Sequence, residues 1–411
     1  MPEIMQYTLA ANLNPTCWRL LSHQDTVKGA MLTGNKYSKG MTNKLYDENL
    51  ARFRRALALE PTDRVPFIPV GSAYYAKSEG VLLKDYISDF ALATDTNLKA
   101  AASTGGFDGT QSVLFTPWLL PRQWLSMVHM PGVELGEDDM WQVVEKENMM
   151  REDYTLIVDN GFEPFYEKFL AEKCGNPNKH LETYFTYLPK ASQRFADAGI
   201  PRISSFSLAI PFEMFCGGRS LEHFFLDLLD IPDTVEAASK VVMDYQLKKY
   251  NGMLASAKPI GVWIGGWRSA PDMLSTSVWE RFVWPYIKQF AELVLYHDVT
   301  PIFHLDSNWD RGLEYFLEMP EKKCIMALDS KTNIRLAKSL LGKRMCIMGD
   351  VPAELLAFGS PDQVSAYTKG LLHDIGMTGY ILSSGCDIPS NGRKENIKAM
   401  RDAALEYGSF G

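Results

Sequence analysis

The chain has 411 residues, 46% hydrophobic and 22% charged, with 42 Lys and Arg against 50 Asp and Glu for a net charge of −8. This composition excludes collagen, coiled-coil, disordered and small disulfide-scaffold classes, and a chain this long buries a large core without staples. The acidic balance argues against nucleic acid or an anionic membrane as partner, since both need a basic surface.

The N-terminus, MPEIMQYTLAANLNP, lacks the basic start and apolar run of a signal peptide. No stretch approaches the ~18 apolar residues of a membrane helix. The six cysteines, Cys17, Cys174, Cys216, Cys324, Cys346 and Cys386, include no C-x-x-C pair, so zinc-ribbon and thioredoxin-type sites are out. Together these features predict a cytoplasmic protein.

Residues 1–45 read as an irregular N-terminal extension. TNKLYDENLARFRRALALEP then shows apolar spacing of helical period, stopped by Pro61. Eight short apolar runs follow that read as strands: Val65–Val70, Phe107–Phe115, Ile203–Ile210, Ile260–Ile264, Val299–His304, Cys324–Leu328, Met345–Met348 and Gly379–Leu382. Helical patterns separate the later ones: SVWERFVWPYIKQFAELVLYH, DRGLEYFLEM, NIRLAKSLLG and SPDQVSAYTKGLLHDIG. Alternating strands and helices imply a parallel sheet, and eight of them imply a closed (β/α)8 barrel of TIM type. Residues 46–411 then form a single barrel domain, since α/β barrels run to about 400 residues as one unit. The mostly helical stretch 116–200 is an insertion between early strands.

Four successive strands end in groups able to do chemistry. They end in His304 and Asp306, in Asp329, in Asp350, and in Ser383, Ser384, Gly385 and Cys386. In a barrel these ends converge on the C-terminal face, where active sites sit. His304 and Asp306 are two apart on a strand end and share a face. Imidazole nitrogen, carboxylate oxygen and thiolate sulfur are all zinc ligands, and three protein ligands leave a fourth position open for chemistry. Asp329 and Asp350 are candidate catalytic groups, with helix capping as the competing role. Glu213 is a further ligand or base candidate, against an ordinary helix-start carboxylate. Cys216, beside two glycines, is a weaker candidate nucleophile. The chain holds 9 Trp, 18 Tyr and 21 Phe. From these, Tyr74, Tyr75, Trp118, Phe212, Trp263 and Trp267 are candidate substrate-pocket residues, each also a reasonable core residue. Walker, G-x-G-x-x-G, G-x-S-x-G and H-E-x-x-H motifs are all missing.

RFRRALALEPTDRVPFIPV, MLSTSVWERFVWPYIKQF, IMGDVPAELLAFGSPDQV and ILSSGCDIPSNGRKENIKAMRDAALEYG resemble the uroporphyrinogen decarboxylase superfamily. The true decarboxylases carry an arginine-rich motif of Met-Arg-Gln-Ala-Gly-Arg type that grips porphyrinogen carboxylates. Here GSAYYAKSEG follows Val70, with no arginine. The resemblance therefore implies the other branch, the cobalamin-dependent methyltransferases. Its thiol-methylating members bind zinc through a His-x-Cys pair and a later Cys in a Gly-Cys context. His304 matches the His and Cys386 the late Cys, while Asp306 stands where the middle Cys would be. A carboxylate there donates less electron density than a thiolate and makes the metal a better Lewis acid. The resemblance thus implies zinc-assisted methyl transfer from an O-methyl compound, with a methoxylated aromatic favoured, to a Co(I) corrinoid. No D-x-H-x-x-G cobalamin-binding stretch occurs, so the corrinoid is expected on a partner protein. The alternatives are methyl transfer from methylcobamide to a thiol or folate, and a non-catalytic corrinoid- or ligand-binding barrel.

Overall fold

The computed structural model describes residues 43–409, so nearly all of the expected N-terminal extension lies outside the described residues. Six strands form one parallel sheet in chain order: β1 (Ser207–Ala209), β2 (Gly261–Gly266), β3 (Thr300–Leu305), β4 (Ile325–Leu328), β5 (Cys346–Val351) and β6 (Tyr380–Ser384). The two earliest predicted strands are too irregular to count as sheet strands. They close the ring nonetheless. Ile68 donates to the Leu382 carbonyl at 3.0 Å, and Leu382 donates back to Pro66 at 2.9 Å. Asp108 donates to Phe67, Thr110 to Pro201 and Ile203 to Thr110, each at 2.9 Å. Eight staves thus circle the axis, as a TIM-type barrel requires. Pro66 and Pro69 lack the N–H groups a regular ladder needs, which explains the irregular first stave.

The barrel interior is one packed cluster. Ile68, Ile203, Ile302, Ile325, Ala327, Cys346, Met348 and Ile381 meet there with Leu50, Phe53 and Ala56. The last three belong to helix α1 (Lys44–Leu57), whose amphipathic face plugs the N-terminal end. A buried ion cluster holds the plug: Arg52 and Arg64 both pair with Asp108, which also accepts from the Phe67 amide at 2.8 Å. Phe53 is 1% exposed, so Phe53→Ala should lower unfolding free energy by roughly 3–5 kcal/mol, the usual cost of emptying an aromatic core site. Denaturant unfolding checks this. A loss below about 1 kcal/mol would mean that α1 does not seal the barrel.

The stretch 116–200 is largely helical as expected, with Phe162–Lys173 and Pro177–Asp197 its longest helices and one short antiparallel pair, Val128–His129 with Gln142–Val143. Asn43 caps α1 and ties it to the last insertion helix, donating to Ala196 and Asp197 carbonyls. The pattern read as one helix over residues 277–297 is two, Thr276–Phe282 and Trp284–Tyr296. Pro285 has no N–H to continue the first and fits the first turn of the second.

Candidate metal centre at the barrel mouth

Strand alternation builds the site. Ile302 faces the core cluster from β3, so His304, two residues on, faces the same way at the C-terminal end. The ligand atoms of His304, Asp306 and Cys386 lie within 4.8 Å of one another, the only such cluster among the described residues. His304 Nε2 stands 3.3 Å from Asp306 Oδ1. Trp263 of β2 stacks on the imidazole, with centroids 4.2 Å apart and 12° between planes. That contact fixes the ring plane, as supporting groups around a metal ligand do. Gly385 lets the third ligand approach: a Cβ there would lie 3.1 Å from the Asp329 backbone.

Asp306 sits on a firmly held turn. Its amide donates to Gly266 at 3.0 Å, and its carbonyl accepts from Trp309 Nε1 at 2.7 Å. The next residue, Ser307, has φ of 68°, a left-handed conformation that costs an L-residue free energy. Asp329 stabilises it: Oδ2 accepts from the Ser307 amide at 2.9 Å, while Oδ1 accepts from Lys331 at 2.8 Å and Thr332 at 3.3 Å. Asp329 is therefore a positioning residue for Asp306 and not a helix cap. Asn333 caps the following helix.

The three side chains are electrostatically tuned to one another. Burial opposes the charged imidazole of His304, but Asp306 and Cys386 outweigh it and raise the group to about 10. Burial works against ionised Asp306 too, and the facing His304 still holds it below the ordinary carboxylate range. Burial pushes the Cys386 thiol up. A nitrogen, an oxygen and a sulfur donor thus converge where one cation is already stabilised. This donor set fits zinc.

Other predicted residues fall elsewhere. Glu213 does not join the cluster. It is fully buried, and its carboxylate accepts from the amides of Trp267 (2.9 Å), Arg268 (2.9 Å) and Ser269 (3.0 Å). All three bonds go to Oε1, and Oε2 takes a longer one from the Arg268 amide at 3.2 Å, so the carboxylate clasps the loop after β2. Asp350 accepts from the Tyr367 hydroxyl at 3.0 Å, on the outer helix Pro361–Ile375, rather than meeting the triad. Cys216 is buried, and burial pushes its thiol up to about 12, which removes the nucleophile reading. Phe212 packs in the core against Phe224, centroids 4.9 Å apart. Trp118 stacks on His180 of the insertion at 3.8 Å. Trp267 meets Trp124 edge-on at 5.1 Å on the Glu213-clasped loop. Tyr74 is buried beside Tyr75, where Glu79 and Glu395 act on it. Of the six, Trp263 stacks on His304, Tyr75 acts on Asp387, and Tyr74 lies against Gly392 of the Cys386 loop. The sequence reading missed Asp387, although it lies in the most family-like stretch. Only its place beside Cys386 signalled it.

Burial raises the Asp350 carboxyl from its ordinary 3.8 to about 6. The folded state then binds the proton more tightly than the unfolded chain. Stability from this group is full below about pH 4 and is lost as pH rises through about 6. Asp350→Asn cannot titrate and keeps an acceptor for Tyr367. We expect the variant to lack up to about 3 kcal/mol of the decline in stability between pH 4 and 7. Urea unfolding across that range checks it, and parallel curves for the two proteins would refute it.

Fold and site together define an α/β barrel with a histidine–carboxylate–thiol cluster at its C-terminal mouth. Residues 204–407, the region that carries the cluster, match the family model described as Uroporphyrinogen decarboxylase (URO-D). Residues 204–407 carry a uroporphyrinogen decarboxylase-type domain. A methyltransferase from Methanosarcina mazei is similar in structure, with TM-score 0.65 and 17% identity over 87% of this chain and 98% of that one. At that identity the likeness shows the shared fold. A glucuronate isomerase from Caulobacter crescentus aligns over 90% of this chain and 89% of its own at 11% identity, but its TM-score of 0.28 carries no argument. No curated protein sequence matches the chain. No helix among the described residues is long and apolar enough to cross a membrane.

Proposed function

We propose that the protein is a corrinoid-dependent methyltransferase. In this reading it moves the methyl group of an O-methyl compound, a methoxylated aromatic, to the Co(I) corrinoid of a partner protein. The observation that supports it is the convergence of His304, Asp306 and Cys386 within 4.8 Å at the barrel mouth. These three residues would hold zinc, which supplies Lewis-acid polarisation of the ether oxygen. Asp306 keeps the formal ligand charge of a second thiolate while donating less, which suits that role. Trp263 holds His304 in plane, and Asp329 holds the turn that presents Asp306. The bonding pair of the methyl–oxygen bond stays on oxygen, so the leaving phenolate is the group that most needs stabilisation.

The match of His304 and Cys386 to two of three zinc ligands in thiol-methylating relatives supports a second reading, methyl transfer from methylcobamide to a thiol. Anaerobic assays with free Co(I) cobalamin and a panel of methoxyarenes, beside methylcobalamin with a panel of thiols, separate the two. Methylcobalamin formation from a methoxyarene is the expected result. Thiol methylation with no methoxy compound consumed would replace the first reading with the second.

A further inference from the structure

Asp387 directly follows Cys386 and stands on the same turn after β6. Its Oδ2 accepts from the Ser72 hydroxyl, on the loop after the first stave. Its Oδ1 is enclosed and has no donor. Tyr75, 2% exposed, lies on the helix that Ser72 opens, Ala73–Ser78, and its hydroxyl also has no partner. The two groups act on each other electrostatically, and Asp387 also feels His304. Buried polar atoms in folded proteins are nearly always paired, so two orphans beside one cluster call for a ligand group. The surrounding charge selects its chemistry. Asp306, Asp329 and Asp387 bring carboxylates to the ends of β3, β4 and β6.

We propose that Asp387 and Tyr75 form a recognition subsite beside the triad that takes a hydrogen-bond donor of the substrate, a hydroxyl or a protonated amine, and rejects a carboxylate. This rests on the reading of the triad as the site of methyl transfer. A free carboxylate oxygen accepts and cannot donate, whereas the tyrosine hydroxyl does either. A donor-bearing ring satisfies both groups, and a bare ring leaves both unpaired.

The test is calorimetric titration of the zinc-loaded protein with 2-methoxyphenol, 2-methoxybenzylamine, anisole and 2-methoxybenzoate. No corrinoid is needed. One or both donor compounds should bind at least about tenfold tighter than anisole, because a site built for a donor penalises its absence. The two donor arms distinguish hydroxyl from amine. 2-Methoxybenzoate should bind most weakly. Tyr75→Phe, which removes one oxygen, should cut the donor preference about fivefold and leave anisole within about twofold. Asp387→Asn should do the same, with zinc content and melting temperature confirming an intact centre. Equal binding of anisole and the donor compounds overturns the proposal, as does tightest binding of the benzoate or no binding by any of the four. A donor preference that survives both substitutions also overturns it. If the preference holds but Co(I) cobalamin takes no methyl group from any methoxyarene, the subsite stands and the methyl-transfer reading falls.

Discussion

On the proposed methyltransferase reading, His304→Ala should lower zinc bound after loading from about one ion per chain to under a tenth, and lower methyl transfer at least a hundredfold, since even outer-shell losses at metal sites cost 10–100-fold. The size follows from the setting. His304 is 3% exposed, and it is the single nitrogen donor of the cluster. With it gone, Asp306 and Cys386 are left as two ligands where zinc sites use three or four from the protein. Truncation also opens a gap under Trp263, so His304→Gln serves as a second variant that keeps most of the volume. Elemental analysis for zinc, with melting temperature as a check on folding, reads the result independently of turnover. Full zinc retention in both variants would mean that the metal sits elsewhere.

Most of the barrel was legible because its strands and helices alternate with different periods. β3 to β6 were readable as short apolar runs, each starting within a residue of where expected, while β5 runs three residues past its expected end, through Asp350 to Val351. The ends of β3 and β6 were equally legible, because period-two alternation fixes which residues share a face. Three things were hidden. The closing role of the first two staves depends on isolated backbone hydrogen bonds, such as those between Leu382 and the Pro66–Ile68 segment, which no local pattern encodes. The destinations of Glu213 and Asp350 depend on partners far away in sequence: the loop at residues 267–269 for one and Tyr367 for the other. A carboxylate at a strand or helix end looks the same whether it meets a metal, a loop amide or a tyrosine. The arginines of the RFRRALALEPTDRVPFIPV stretch were read as part of a family likeness. Arg52 and Arg64 instead fasten the plug through Asp108, whose partnership spans more than forty residues.

Asp306→Cys should reverse the preferred direction of transfer while leaving the metal in place. The backbone at this position is fixed by Gly266 and Trp309, so a cysteine there presents its sulfur from the same point. Sulfur sits one bond nearer the backbone than a carboxylate oxygen does. The longer zinc–sulfur bond, ~2.3 Å against ~2.0–2.2 Å for oxygen, makes up part of that difference. Zinc content should therefore stay near one per chain. In the cobalt(II)-substituted protein, thiolate-to-metal absorption should grow as the second sulfur binds, a readout that needs no turnover. With two thiolates the centre becomes a weaker Lewis acid, and demethylation of a methoxyarene should fall by roughly 10–100-fold, in the range set by losing electrostatic stabilisation of a leaving oxygen. A zinc-bound thiolate would in turn stay more nucleophilic, so methylation of a small thiol by methylcobalamin should rise. Single-turnover transfer in each direction, for wild type and variant, decides the matter. A variant that keeps its zinc, gains the sulfur absorption and still demethylates methoxyarenes at the wild-type rate would show that the identity of residue 306 does not set the direction.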